Sequence, residues 1–372
     1  MKLSTLINTY REGFIQQYGR RMSATHYRAL AAMRTCRTRQ SPKMLTRCSE
    51  CEQETYVPHS CGHRNCPHCQ AHESQQWLER QLKKRVPADY FMVTFTLPAQ
   101  FRSLVWNHQK ILYAVLIRCA WETLKSFSQN DSQLQGMPGA IAVLHTHARD
   151  LRYHPHVHIV IPAAAIDKTE KLWRSKTFQE GKKPYLFNHK ALAKVFRAKM
   201  LDGISKLGLT LPERYPREWK ANCTSVGSGD KALIYLGRYL YRGVIQEKNI
   251  LSSKDGQVTY RFQNSTSKKM ESRTVSGEKF LWLILQHILP KGFRRARNFG
   301  FLHPNSKQLI QILQLKFKLD PNRALAWMKE RPKMTCSCCG GVMKIIQTRI
   351  KPLFDYELLD PVRKKLLPGT IS

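Results

Sequence analysis

The sequence predicts a mixed α+β protein, strands interleaved with helices, with a small metal-held module before it and helical extensions at its ends. Three observations carry that reading. Runs at 91–97, 139–147 and 154–162 are rich in β-branched and aromatic residues and read as strands. The segments between and after them show apolar residues at helical spacing, giving the interleaved order of an α+β domain. Residues 36–69 are crowded with cysteine and histidine and have little apolar periodicity, so a metal rather than a core must hold them.

Taken in order, residues 1–35 read as helical and basic, with Tyr10, Phe14 and Tyr18 at helical spacing as core aromatics. After the cysteine-rich stretch, Ala71 to Arg85 sets Trp77, Leu78 and Leu82 among charges, as an exposed connecting helix would. The strand Phe91–Leu97 ends at Pro98, a helix follows over about 106–127, and the two runs 139–147 and 154–162 are joined by a short turn. Helices are expected over about 189–207 and 229–243, a hairpin around 256–275, and a helix over about 277–288. Beyond Pro304 the pattern is helical and basic and contains Cys336-Ser-Cys-Cys-Gly-Gly341, which looks like half of a zinc ribbon without a second half downstream. The expected divisions are a helical segment 1–35, a zinc-binding module 36–75, a catalytic domain 76–304 and a basic tail 305–372.

The chain has 372 residues, with 62 Lys and Arg against 26 Asp and Glu, a net charge of +36. So many uncompensated positive charges repel one another in the folded state unless a polyanion offsets them, which points to nucleic acid. The N-terminus lacks the apolar core of a secretory signal, and Phe280–Leu285 is cut off by Gln286 and His287 well short of a membrane span. A cytoplasmic, nucleoid-associated protein is the expectation. Its eleven cysteines then read as metal ligands before disulfides.

His154, His156 and His158 alternate with Pro155, Val157 and Ile159, so a strand would project all three imidazoles from one face. Cα atoms two apart lie roughly 6.5 Å from each other, a gap across which imidazole nitrogens can converge on one ion. The preceding run carries His145 and His147, and the turn is short enough to lay them alongside. His156 and His158 are the principal candidate ligands and His145 the candidate third. Imidazoles alone leave the ion open among Zn, Mn and Mg.

Ser228 to Arg242 opens with capping residues and runs into a helical pattern that sets Tyr235 and Tyr239 four apart, on one face. Arg238 and Arg242, also four apart, are candidates to hold phosphates beside those hydroxyls. A phenol is a poor nucleophile and needs a polarised electrophile, which metal, arginines and tyrosines together supply for a phosphodiester.

Cys48-x-x-Cys51 and Cys66-x-x-Cys69, fourteen residues apart, have the spacing of a four-cysteine zinc site, with Cys61 the next choice. Cys36, His59, His63 and His68 are left over and could substitute or make a second site. Cys119 and Cys223 read as small buried apolar residues.

His156-Val-His158 followed by Tyr235-Leu-Gly-Arg-Tyr239 resembles the HUH endonucleases, and in detail the two-tyrosine rolling-circle transposases of the insertion-sequence-ninety-one family. Similar blocks include Ser60–Cys69, Phe91–Pro98, His145–His158 and Leu289–Phe301, so the resemblance spans about 60 to 302. It implies an HUH nuclease fold, with the histidine strand central in an antiparallel sheet of ferredoxin-like or RRM-like plan. It also implies a divalent metal, Mg or Mn, and tyrosine attack on single-stranded DNA that leaves a 5′-phosphotyrosyl link, with two tyrosines permitting two strand transfers. Related relaxases take a third histidine from just upstream, which favours His145. The N-terminal module would bind zinc and grip DNA at an element end. No Gly-x-x-x-x-Gly-Lys-Ser/Thr loop is present, so no nucleotide is expected. A relaxase or replication initiator would use the same chemistry, and a non-catalytic zinc-dependent DNA-binding regulator is the reading from another class.

Overall fold

The computed structural model describes residues 1–351 apart from positions 168, 171, 180, 182, 183, 242, 265 and 326–332. The chain divides into two compact units, Met1–Arg34 with Gly62–Lys329, and Thr35–Cys61 with Glu330–Ser372.

The larger unit is built on a seven-stranded antiparallel sheet. Its strands run in the order Leu172–Ser175, Ala164–Asp167, Met137–His147, Tyr153–Pro162, Tyr90–Thr96, Lys220–Ser225, and Ala296–Gly300 also pairs with Met137–His147. The histidine strand Tyr153–Pro162 is interior, paired on one side with Met137–His147 and on the other with Tyr90–Thr96.

Strict alternation along these strands gives the sheet two different faces. Val157, Ile159 and Ile161, with Phe91, Val93, Phe95, Ala142 and Leu144, share the main core with residues of the helices Gln109–Asn130 and His189–Ser205. Burying each large apolar side chain there contributes about 1.5–3 kcal/mol, so the strands are pinned in register by this face. On the opposite face Ile141, Val143 and Val160 pack with Leu233 and Leu236 of the helix Asp230–Tyr241 and with Trp77 of the helix Ala71–Leu82. The tyrosine helix therefore lies over the face that carries the histidines.

Two further pieces complete this unit. The helix Leu3–Tyr18 buries Leu3, Leu6, Ile7, Tyr10, Phe14 and Tyr18, the stripe expected of a helical repeat, and Tyr18 stacks on Trp282 at 5.0 Å. Trp282 belongs to the helix Gly277–Leu285, whose first glycine abuts the Tyr10 ring so closely that any Cβ would clash. The expected hairpin near 256–275 is a three-stranded meander, Ile250–Lys254, Gln257–Gln263 and Met270–Ser276.

Three expectations need correction. The helix Ala71–Leu82 is no exposed connector: Trp77 and Leu82 are buried, because its apolar stripe meets the tyrosine helix. Among the described residues past Pro304, the helix Lys307–Lys316 and short 3-10 turns at Pro304–Ser306 and Arg323–Leu325 agree with the helical pattern, but Met343–Ile350 is a strand. The divisions at 36–75 and 305–372 also give way, because Lys43–Cys48 pairs with both Glu54–Pro58 and Met343–Ile350 in one sheet of the smaller unit. A pairing across nearly the whole chain leaves no local pattern to read. Residues 352–372 of the expected tail lie outside the described residues.

Candidate metal centre and tyrosine pair

The register of the two central strands sets His145 directly opposite His156, and Val143 opposite His158. Ring nitrogens of His145, His156 and His158 all lie within 4.8 Å of one another. Two of the three imidazoles are held from behind. His156 Nδ1 lies 2.7 Å from the carbonyl oxygen of His154, which can only accept, so Nδ1 carries the proton and Nε2 presents a lone pair. His158 Nδ1 lies 2.8 Å from Thr94 Oγ1, a hydroxyl able to accept the same proton, and Thr94 is the register partner of His158 on the next strand. His145 is 1% exposed, and its Nε2 is buried without a hydrogen-bond partner. Such an orphan costs about 1–3 kcal/mol unless something occupies it. A divalent ion would do so, and three imidazole nitrogens converging from two strands fit one.

Electrostatics agree with that donor set. Burial pushes His156 down to about 3, with the His158 imidazole adding to the effect, and burial alone pushes His158 down to about 4. His145 is held well below the ordinary value by burial and then by its histidine neighbours. All three are neutral at pH 7, the form that ligates.

The tyrosine helix is anchored at its start by Arg85, which donates to both carboxylate oxygens of Asp230 at 2.7 and 2.8 Å. Gly237, between the two tyrosines, would place a Cβ 3.3 Å from the Trp77 ring, so the glycine lets the helix settle onto Ala71–Leu82. From that seat the two phenols reach different surroundings. Tyr235 is 45% exposed, with ring centroids 5.9 and 6.0 Å from His158 and His145. Its hydroxyl has no hydrogen-bond partner among the described residues; burial raises its pKa and Arg149 opposes that rise. Tyr239 instead stacks flat on His145, and its hydroxyl accepts from the amides of Thr146 at 3.0 Å and His147 at 3.5 Å. The strand is irregular between His145 and His147, and Tyr239 caps the amide of the intervening, fully buried Thr146. Burial pushes Tyr239 up to about 12, and the buried Arg295 guanidinium, 5.6 Å over its ring, works against that.

The remaining candidates fall in different places. Arg238 is exposed on the tyrosine helix, free to meet a phosphate. Arg242 lies outside the described residues. His154 Nδ1 accepts from Arg102 at 3.1 Å, and His147 faces Tyr239 and His287. The expected four-sulfur set Cys48, Cys51, Cys66 and Cys69 is not the one the structure gathers, because the thiols of Cys48 and Cys51 lie with those of Cys336 and Cys339. Chain proximity favoured the nearer pair, whereas the pairing of Lys43–Cys48 with Met343–Ile350 delivers the distant one. Cys61 and Cys36 are neighbours in the smaller unit, and Cys66 and Cys69 are neighbours in the larger. Cys119 is buried, as expected, and Cys223 is half-buried.

Sequence reasoning missed Thr94 and Arg295. Thr94 could have been found from strand alternation, once Phe91–Leu97 is laid beside the histidines. Arg295 lies within the Leu289–Phe301 block, but in an irregular loop it has no periodicity that would direct it to Tyr239.

Comparison with known proteins gives the class. Residues 139–309, which hold both histidine strands and the tyrosine helix, match a family model described as "Putative transposase". The chain is of the transposase class. Residues 6–97 match a second model, "Transposase zinc-binding domain", and with the relatives that follow this places the chain in the insertion-sequence-ninety-one family of transposases. It is 27% identical over 324 residues to "Putative transposase y4qJ" of Sinorhizobium fredii, covering 81% of this chain and 80% of that protein. It is 26% identical over 274 residues to the transposase for insertion sequence element IS801 of Pseudomonas savastanoi pv. phaseolicola, covering 68% of this chain and 63% of that one. Among solved structures, the conjugative relaxase TrwC in complex with OriT DNA overlaps 62% of this chain and 72% of its own, at 15% identity and a TM-score of 0.24. TrwC complexed with a 27-mer DNA overlaps 62% and 74%, at 14% identity and the same TM-score. No helix among the described residues is long and apolar enough to cross a membrane.

Proposed function

We propose that this transposase nicks and rejoins single-stranded DNA by metal-assisted attack of a tyrosine on a phosphodiester, through a 5′-phosphotyrosyl intermediate. The observation that carries the reading is the convergence of three neutral imidazoles, one with an orphaned buried nitrogen, beside an exposed phenol that has no hydrogen-bond partner among the described residues. His145, His156 and His158 would hold the ion, Mg or Mn, through nitrogens facing the centre. When bound, the ion polarises the scissile phosphate and offsets the charge that develops on it.

The chain's own residues do the rest. Thr94 and the His154 carbonyl keep two rings in the ligating orientation. Tyr235 is the first nucleophile: its oxygen forms the bond to phosphorus, the 3′ oxygen departs with the electron pair, and the phenolic proton passes to water. Tyr239, whose hydroxyl is engaged by two amides, acts in the second transfer after that engagement is released. Arg238 steadies the phosphate beside Tyr235. A groove in the larger unit lined by Arg80, Lys84, Lys110, Arg294 and Arg297 is strongly cationic and suits the backbone of the same strand. The zinc-binding N-terminal region is the part that would grip element-end DNA.

The test is incubation with single-stranded oligonucleotides from an element end plus Mg or Mn, followed by a denaturing gel. A covalent protein–DNA adduct that needs metal and His156 is expected. A protein that binds DNA but never forms the adduct is a regulator, and the enzymatic reading fails.

A further inference from the structure

We infer that Cys48, Cys51, Cys336 and Cys339 form a structural zinc site that clips the segment 336–350 to residues 43–58. Cys48-Ser-Glu-Cys51 occupies the turn between the strands Lys43–Cys48 and Glu54–Pro58, and Cys336-Ser-Cys-Cys339 leads into Met343–Ile350. The pairing that sets Cys48 opposite Met343 brings the two turns face to face.

The four sulfurs all lie within 4.8 Å of one another. Cys48 to Cys339 is 3.4 Å, Cys51 to Cys339 is 3.4 Å, and Cys51 to Cys336 is 3.7 Å. Tetrahedral ligation with Zn–S near 2.3 Å places sulfurs about 3.8 Å apart, close to this arrangement. Cys339 approaches Cys48 and Cys51 equally, so the set has the symmetry of a shared ion rather than of two disulfide partners.

The backbone is arranged for thiolates as well. The amides of Glu50, Cys338 and Gly341 donate to the sulfurs of Cys48, Cys336 and Cys339, each at 3.4 Å. The amide of Gln53 is directed to Cys51. All four donors sit two residues past their cysteine, the geometry of a knuckle that wraps an ion, and Gly340 supplies the positive φ of 75° that the second turn requires. Gly341 abuts Glu50 and the Cys48 sulfur, where a Cβ would lie 2.5 Å from Glu50 Cγ.

Among the described residues, apolar packing in this sheet is sparse. Ile345 and Ile346 are each 51% exposed and Tyr56 is 59% exposed, so these strands bury little apolar surface. A three-stranded sheet that buries so little apolar surface among its described residues gains from a further device to hold it, and a tetrathiolate ion is one.

The test uses the full-length chain and counts zinc. The double substitution Cys336→Ser with Cys339→Ser should release one zinc per chain relative to wild type and make Lys344 and Arg349 rapid tryptic sites. Cys338→Ser, which alters an exposed thiol outside the set, should release none. Should the double variant fail to fold, alkylation of the wild-type chain decides the matter by mass spectrometry. Cys48, Cys51, Cys336 and Cys339 should be protected together and become reactive together on chelation, while Cys338 reacts throughout. Unchanged zinc in a folded double variant, iron in place of zinc, or free alkylation of Cys336 and Cys339 while Cys48 and Cys51 stay protected would each overturn the assignment.

Discussion

The two tyrosines of one helix should separate cleanly when each is changed to phenylalanine. The Tyr239 hydroxyl accepts the amide of Thr146, a residue with no solvent exposure, and at longer range that of His147. Removing it strands a buried donor, which costs about 1–3 kcal/mol. A thermal shift of about 2–5 °C downward follows for a unit of this size. The Tyr235 hydroxyl has no hydrogen-bond partner among the described residues and its side chain is nearly half exposed, so Tyr235→Phe should change stability by no more than about 0.5 kcal/mol. Activity should run the other way. Tyr235→Phe should lose the covalent DNA adduct in a single-turnover assay at a folded, unshifted Tm, whereas Tyr239→Phe should still form it with a lowered Tm. Differential scanning fluorimetry and a denaturing gel on the same preparations give both readings. An adduct at wild-type level in Tyr235→Phe together with none in Tyr239→Phe would refute the assignment of Tyr235 as first nucleophile.

Further consequences concern the supports of the site. Thr94→Val keeps shape but removes the partner of His158 Nδ1, and should weaken Mn binding by about 10- to 100-fold in calorimetry; unchanged affinity would show that the hydroxyl is idle. Arg85→Ala removes the guanidinium partner of the partly buried Asp230 carboxylate at the head of the tyrosine helix, leaving it the Ser228 hydroxyl, and should cost about 1–3 kcal/mol in urea unfolding. His26 is buried, accepts from the Ser23 amide at 3.1 Å, and is pushed by burial down to about 4 from 6.5. Because the folded value is the lower one, the unfolded chain binds the extra proton between those limits. The stability His26 contributes is thus present above pH 6.5 and lost as pH falls toward 4, by on the order of 3 kcal/mol. His26→Gln should flatten the stability–pH curve over that interval, and an unaltered slope would count against it.

Much of this protein was legible before any coordinates. Strand alternation put His154, His156 and His158 on one face, and helical spacing put Tyr235 and Tyr239 on another, because both periodicities follow from backbone geometry alone. The short turn between the histidine strands made their antiparallel pairing a local matter, and His145 opposite His156 follows from it. The net charge of +36 pointed to a polyanionic partner. The start of the tyrosine helix was readable to a few residues from the capping residues around 228–230.

Tertiary structure decided the rest. Only packing could show that Tyr239 is tied to the Thr146 amide while Tyr235 is free, since the two residues occupy equivalent places in the sequence pattern. Only the three-dimensional arrangement could turn Ala71–Leu82 from an apparent connector into the seat of the tyrosine helix. The sharpest case is the cysteines. A Cys-x-x-Cys motif declares a turn able to bind metal, but which second turn completes it depends on strand pairing, and strand pairing carries no memory of sequence distance. Cys48 and Cys51 have a candidate partner fourteen residues away and meet one nearly three hundred residues away.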